Sequence, residues 1–335
     1  MFKNLDGDCF GIAGRQNEVI EFALSNGYTS ISVNFSDLVT RAGASGVEFS
    51  ARYLISAKKL VVGQGELNIR LAGTDEEFTA DVESLATVLE IVDSIRNVEG
   101  GVDHRADRVT VNIQPYSDTL AYDDNFEVHK SRISQIAAKL AEKNLQIGLG
   151  IQAATSKRAE KENEFIWNAE GLLKLVSAIN LDNVGINLNT WDWLVGGGTI
   201  EQLGSVSIDK IVCVTLTDMP ENADLANLQN SERLLPGTGD TSFNTSVCQW
   251  LHDNGYNGPV SPGPSPLQFT GSSRDAVIHK AANAIDAILV KIGAIEPATP
   301  DVVEVAPSED EAAEAETPTD DAKTSEESPA EEATS

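Results

Sequence analysis

The stretch 183–199, N-V-G-I-N-L-N-T-W-D-W-L-V-G-G-G-T, brings together the side chains best suited to chemistry in this chain. Its first half alternates apolar and polar residues, which predicts a short buried strand. At the end of that strand stand the amide of Asn189, the ring of Trp191 and the carboxylate of Asp192. A carboxylate can transfer protons, and an amide can recognise hydroxyl groups. The Trp191 ring could form a platform for one face of a sugar, or it could be a core residue.

A second amide, Gln152, ends an earlier apolar run, and like Asn189 it could recognise hydroxyl groups of a ligand. An amide inside a protein needs a hydrogen-bond partner. Two amides at the ends of buried strands therefore suit a hydroxyl-bearing ligand. Alternatively, Gln152 and Asn189 bond to each other and only fill the interior.

These side chains depend on a strand and helix pattern that repeats about eight times, as in a (β/α)₈ barrel. In that architecture, sites are built at the carboxyl ends of the strands. Thr74 and Glu77 have the spacing of a capping box and predict the start of one long amphipathic helix. The predicted strands are 9–13, 28–35, 67–71, 108–113, 146–152, the first half of 183–199, 210–216 and 258–261.

Charge and composition divide the 335 residues into a predicted domain, 1–295, and a predicted disordered acidic tail, 296–335. The tail carries −13 of the net charge of −28, and the remaining −15 disfavours nucleic acid as a partner. The three cysteines form neither a disulfide framework nor a zinc motif. The sequence shows neither a signal peptide nor an apolar run long enough to span a membrane, so we predict a cytoplasmic protein.

Three segments of the second half resemble the xylose isomerase-like TIM barrels, which include sugar phosphate isomerases, epimerases and inosose dehydratases. The segment 185–193, G-I-N-L-N-T-W-D-W, is similar to the family's G-x-x-L-D-T-x-H at strand six. The segment 214–218, V-T-L-T-D, is similar to V-H-x-K-D at strand seven. The segments 235–240 and 255–261, L-P-G-T-G-D and G-Y-N-G-P-V-S, resemble P-G-x-G-D and the start of G-Y-x-G-x-x-x-x-E at strand eight. The resemblance covers residues 10–290 and implies a (β/α)₈ TIM barrel.

The resemblance also implies a chemistry whose residues have changed in this chain. In the family, carboxylates and a His at the ends of strands five to eight hold a divalent cation, and two carboxylates move a proton through an enediol. The residues that replace them here are Gln152, Asn189, Asp192, Thr215 and Gly263, whereas Asp218 and Asp240 are kept. Most of these replacements remove the negative charge that a hard cation needs, and an amide cannot act as a base.

We therefore expect no cofactor and favour a diverged relative that is non-catalytic or binds a sugar or polyol. The predicted ligand-binding residues are Gln152, Asn189, Trp191, Thr215 and Asp240. The alternative is an active sugar isomerase or epimerase, rebuilt around Asp192 and Asp218 and dependent on Mn²⁺, Mg²⁺, Co²⁺ or Zn²⁺. In that case Asp192 and Asp218 are the candidate catalytic and metal-binding residues.

Overall fold

Eight parallel strands close into a barrel in the computed structural model, which describes residues 1–12, 16–97 and 104–296. The predicted tail, apart from its first residue, lies outside the described residues. The barrel strands are β1 (Phe2–Leu5), β2 (Ser30–Asn34), β3 (Val61–Glu66), β4 (Arg108–Asn112), β5 (Gln146–Gly150), β6 (Val184–Asn189), β7 (Ile211–Leu216) and β8 (Pro259–Pro262). Each strand pairs in parallel with its neighbours in the chain, and β8 closes the barrel on β1. The predicted (β/α)₈ TIM barrel is confirmed.

Helices surround the barrel and cover the apolar outer faces of its strands. They are α1 (Gln16–Ser25), α2 (Phe35–Ser45), α3 (Val47–Ser56), α4 (Asp75–Arg96), α5 (Tyr122–Ala141), α6 (Ala169–Ile179), α7 (Thr190–Val195), α8 (Ile200–Gly204), α9 (Ser242–Asp253) and α10 (Arg274–Lys291). The capping box that starts α4 is confirmed, because Thr74 Oγ1 accepts from the Glu77 amide and the Glu77 carboxylate accepts from the Thr74 amide. None of the described helices is both long and apolar enough to cross a membrane.

The first predicted strand, 9–13, is wrong, since β1 is Phe2–Leu5 and residues Asp8–Phe10 form a 3-10 turn. The sequence hides β1 because its inward-facing residue is a fully buried asparagine, Asn4. Asn4 Nδ2 donates to Ser32 Oγ at 2.9 Å and to Ser261 Oγ at 2.8 Å. A buried amide with these partners replaces the apolar contact that a strand pattern leads one to expect. Asn4 therefore links β1 to β2 and β8 and helps to close the barrel.

The third predicted strand, 67–71, is also wrong, because β3 spans Val61–Glu66. Its sequence, V-V-G-Q-G-E, contains two glycines, and glycine weakens a strand pattern. Gly65 is required by packing, because a Cβ there would collide with the Phe35 ring. The pairing of β2 with β3 shifts register between Ile31 and Ser32. This shift places Gln64 beside Ser32, and both residues line the same cavity.

Candidate functional site

A cavity of about 700 Å³ opens at the carboxyl ends of the barrel strands. Every strand contributes a residue at or just beyond its end, so the cavity lies over the barrel axis, as expected for this architecture. In strand order these residues are Asp6, Asn34, Glu66, Asn112, Gln152, Asn189, Thr215 and Gly263. Gln152, Asn189 and Thr215 therefore line one cavity, and their predicted role in ligand binding stays a prediction.

The two predicted amides have different surroundings. Asn189 Oδ1 accepts from the backbone amides of Trp191 at 3.1 Å and Asp192 at 3.3 Å, and thereby caps α7. Gln152 is half-buried and has no hydrogen-bond partner among the described residues. The alternative in which Gln152 and Asn189 bond to each other is therefore wrong. Gln152 keeps both its carbonyl and its amide for a ligand in the cavity.

Asp192 lines the cavity, but its carboxylate already has a donor on each oxygen. Oδ1 accepts from the Ala153 amide at 2.9 Å, and Oδ2 accepts from Arg233 Nη2 at 2.7 Å. Arg233 is held in turn by Asn230, whose Oδ1 accepts from Nε at 3.1 Å. These bonds join the ends of β5, β6 and the segment after β7. In this arrangement Asp192 positions the wall of the cavity.

Trp191 and Asp240 do not line the cavity, contrary to their predicted role in ligand binding. Trp191 is 0% exposed and lies beneath the Arg233 guanidinium, 4.2 Å from the ring centroid. Its ring therefore offers no free face to a sugar, and its interpretation as a core residue is the correct one. Asp240 is exposed, and its Oδ1 accepts from the Ser242 amide at 2.9 Å where α9 begins.

Asp218 lies outside the cavity and organises the loop 235–240. Its Oδ2 accepts from the Gly237 amide at 2.7 Å and the Gly239 amide at 3.2 Å, and its Oδ1 accepts from Asn244 Nδ2 at 2.5 Å. Burial raises the pKa of Asp218, while these hydrogen bonds act in the opposite direction. The rebuilt-site alternative requires Asp218 and Asp192 to lie together at the cavity, and the structure does not bring them together there.

The cavity wall at the ends of β1 and β3, across the barrel from Gln152 and Thr215, carries carboxylates that the sequence analysis missed. Asp6 follows β1, Glu66 ends β3, and Asp8 lies in the turn between β1 and α1. Burial, and then the charge of Asp8, raises the pKa of Asp6 to about 6, with Glu66 adding to the effect. The pKa of Glu66 is raised by burial and by Asp8. The motif D-G-D after β1 and the G-E that ends β3 would have revealed this wall if the first and third strands had been placed correctly.

Among the described residues that line this cavity, three buried amide oxygens lack a donor: Gln16 Oε1, Gln64 Oε1 and Asn187 Oδ1. Gln64 is only 6% exposed, and its Oε1 has no hydrogen-bond partner in the described structure. Asn187 Oδ1 is buried and also unpartnered. Gly150 leaves the space for this arrangement, because a Cβ there would collide with Asn112 Oδ1 and approach Asn187 Nδ2. The cavity therefore presents more acceptors than the protein satisfies.

The residues at the ends of β5 to β8 do not fit the divalent cation that the resemblance implies. Gln152 and Thr215 supply neutral oxygens, and the Asn189 oxygen is already used as a helix cap. Gly263 supplies no side chain, and a Cβ at this position would collide with Thr215 Cγ2. Hard cations gain much of their binding free energy from carboxylate charge, which this set lacks. Within residues 1–12, 16–97 and 104–296, no group of three or more His, Cys, Asp or Glu side chains is arranged to hold a metal ion.

Comparisons with known proteins agree with this architecture. The model of the family described as xylose isomerase-like TIM barrel matches residues 23–275. A xylose isomerase domain protein from Alicyclobacillus acidocaldarius subsp. acidocaldarius superposes with a TM-score of 0.75 at 19% identity, covering 88% of this chain and 99% of that one. The IOLI protein with a bound zinc atom gives a TM-score of 0.69 at 13% identity, covering 87% of this chain and 99% of that one.

The probable 3-DHS dehydratase AsbF from Bacillus anthracis, which is involved in petrobactin synthesis, gives a TM-score of 0.64 at 14% identity. The alignment covers 85% of this chain and 99% of that one. A search of the curated proteins finds no match. At these identities, the solved structures support the fold, whereas activity has to be argued from the residues of the site.

Proposed function

The chain belongs to the xylose isomerase-like TIM barrel family, and we propose that it binds a sugar or polyol without divalent-metal chemistry. One observation carries this proposal: Gln152, Asn189, Thr215 and Gly263 occupy the cavity where the family's metal ligands and proton-transferring carboxylates are expected. Neutral oxygens bind hydroxyl groups well and metal ions poorly. The protein is therefore a binding member of the family, and the metal-dependent isomerisation is lost.

The rim of the cavity suits a ligand with several hydroxyl groups. The Gln152 amide can both donate and accept, the Thr215 hydroxyl can do the same, and Asn187 Oδ1 can only accept. Each hydrogen bond of this type contributes about 0.5–1.5 kcal/mol net, so several are needed for measurable affinity. The cavity of about 700 Å³ has the volume of a small-molecule site.

An active isomerase rebuilt around Asp192 and Asp218 fits this geometry less well. The Asp192 carboxylate is fixed by its ion pair with Arg233 and by the hydrogen bond from the Ala153 amide, and moving it toward a metal ion or substrate would break both. The Asp218 carboxylate would have to leave the loop that it organises and reach a cavity that it does not line. Both movements would leave buried donors without acceptors, which costs about 1–3 kcal/mol per group.

Calorimetry and thermal shift on the full chain, with sugars and polyols in the presence and absence of EDTA, test the proposal. We expect one-to-one binding that EDTA does not change and that Gln152→Leu weakens about tenfold, the equivalent of one to two hydrogen bonds. Gln135→Leu, an equal change on the exposed face of α5, is the matched control. One-to-one binding of Mn²⁺, Mg²⁺, Co²⁺ or Zn²⁺ that Asp192→Ala or Asp218→Ala abolishes would refute the proposal.

A further inference from the structure

The cavity wall formed by the ends of β1, β2 and β3 carries more negative than positive charge. Among the described residues, five carboxylates and two guanidinium groups line the cavity. One carboxylate and one guanidinium neutralise each other in the ion pair of Asp192 with Arg233. The remaining carboxylates are those of Asp6, Asp8, Asp37 and Glu66, with Arg41 as the remaining guanidinium. The uncompensated negative charge therefore lies opposite the neutral rim of Gln152 and Thr215.

An unpartnered buried oxygen lies beside these carboxylates and points independently to a ligand with hydrogen-bond donors. Gln64 precedes Glu66 by two residues on β3, and both line the cavity. Gln64 is 6% exposed, and its Oε1 lacks a donor. A buried acceptor without a donor is costly, and a ligand that supplies an N–H or O–H removes that cost. The charge and the missing donor together favour a positively charged, donor-rich group.

We propose that the ligand of this cavity carries a protonated amine, and that its ammonium group binds to Asp6, Glu66 and Gln64 Oε1. The ligand class is thus an amino sugar or amino polyol whose hydroxyl groups contact Gln152 and Thr215. An ammonium group has three donors and no acceptor, which matches three acceptors of this wall. The inference rests on the proposed function, because it names the kind of sugar or polyol that the cavity takes.

An organic cation fits this wall better than a metal ion does. A metal ion requires several ligand atoms within about 2.6 Å of one point, and the described residues contain no His, Cys, Asp or Glu cluster of that kind. A polyhydroxylated amine needs no such convergence, because its donors are distributed along its own skeleton. Asp8 and Asp37 add negative charge near the wall. Burial raises the pKa values of Asp6 and Asp8, and repulsion from a neighbouring carboxylate, Asp8 for Asp6 and Asp37 for Asp8, adds to the effect. A bound ammonium group would relieve that repulsion.

Matched pairs of ligands that differ only in the amine give the sharpest test. We would titrate D-glucamine against D-sorbitol, and scyllo-inosamine against scyllo-inositol, into the full chain by calorimetry at about pH 7.5, where alkylamines are protonated. We expect the amine of at least one pair to bind about tenfold or more tightly than its neutral partner at physiological salt. Glu66→Gln and Asp6→Asn should each reduce the preference to about twofold, with little change in the affinity for the neutral partner.

Two controls separate this site from the general attraction of a polyanion for amines. Glu90→Gln removes one exposed negative charge from the outer helix α4 and should leave the preference unchanged. The preference should also decline as the pH falls through about 6, since Asp6 then becomes protonated. The charged groups that act on Asp6 are Asp8 and Glu66, and the guanidinium groups of Arg41 and Arg233 also line the cavity.

The outcomes distinguish this inference from the proposed function. Equal affinity for both members of every pair would overturn the amine inference and leave a neutral sugar or polyol site intact. An amine preference that survives both Glu66→Gln and Asp6→Asn would overturn the assigned wall. If no sugar, polyol or amine binds to the folded protein, the proposed function fails, and the amine inference fails with it.

Discussion

Replacement of Asp6 by asparagine should stabilise the protein at neutral pH. Burial, reinforced by Asp8 and Glu66, raises the pKa of Asp6 from 3.8 to about 6. Between these two pH values the native protein therefore binds more protons than the unfolded chain. Under linkage, the free energy of unfolding then falls as the pH rises through this range. The ionised carboxylate costs stability at neutral pH, and Asp6→Asn removes that cost.

The magnitude follows from the size of the shift and from the hydrogen bonds of the carboxylate. A shift of about two units corresponds to about 3 kcal/mol, and water in the open cavity reduces this to about 2 kcal/mol. The Asp6 carboxylate accepts from the Asp8 amide at 3.1 Å and from the Ser32 hydroxyl, and weakening these bonds costs less than about 1 kcal/mol because asparagine keeps one acceptor oxygen. We therefore expect Asp6→Asn to raise the free energy of unfolding by about 1–2 kcal/mol at neutral pH and to change it very little at about pH 4.

Urea unfolding of the wild type and of Asp6→Asn at about pH 4 and about pH 7.5 measures this gain. When the two proteins are compared at the same pH, the contributions of groups that titrate in both of them cancel. One such group is His129, whose pKa burial lowers to about 4. Glu90→Gln removes one negative charge from the outer surface and so reports the effect of a smaller net negative charge alone. The reasoning is refuted if Asp6→Asn is no more stable than the wild type at neutral pH, or if its gain is the same at both pH values.

Three further substitutions test the scaffold of the site. Asp218→Ala should lower the free energy of unfolding by about 2–4 kcal/mol, with the loss measured by urea unfolding; unchanged stability would contradict its role in the loop 235–240. Gly263→Glu should not create a Mn²⁺ site and should lower the melting temperature, because its Cβ would collide with Thr215; calorimetric Mn²⁺ binding would contradict this. Thr74→Ala should cost about 1 kcal/mol through loss of the α4 cap and leave ligand affinity unchanged, which a melting curve and a sugar titration check together.

The fold could be predicted from sequence where strands follow a simple alternation of apolar residues. The predicted strand 146–152 corresponds to Gln146–Gly150, and 210–216 corresponds to Ile211–Leu216. The strands β1 and β3 were missed because their inward-facing residues are polar or glycine. Asn4 can occupy the barrel interior only because Ser32 and Ser261 accept its hydrogen bonds. Those partners are 28 and 257 residues away, so no local pattern reveals them.

The candidate site could be predicted only in part. Gln152, Asn189 and Thr215 meet because the ends of parallel strands converge at one rim, a property of the fold as a whole. The direction of each side chain, in contrast, depends on partners that lie far along the chain. Asp192 is turned toward Arg233, which lies 41 residues further along the chain, and Asp218 is turned toward the loop 235–240. Sequence alone could name these carboxylates but could not say which of them face a ligand.

The sequence by itself determined that this chain is a (β/α)₈ TIM barrel whose rim carries Gln152, Asn189, Thr215 and Gly263 in place of charged ligands. The barrel follows from local periodicity, whereas the absence of charged ligands follows from the resemblance of the strand-end motifs to those of the family. The tertiary structure alone decided that the cavity's negative charge lies at Asp6 and Glu66. That placement depends on where β1 and β3 begin and on the register shift beside Ile31. Register is set by pairing between strands that are distant in sequence, so it cannot be read from either strand alone.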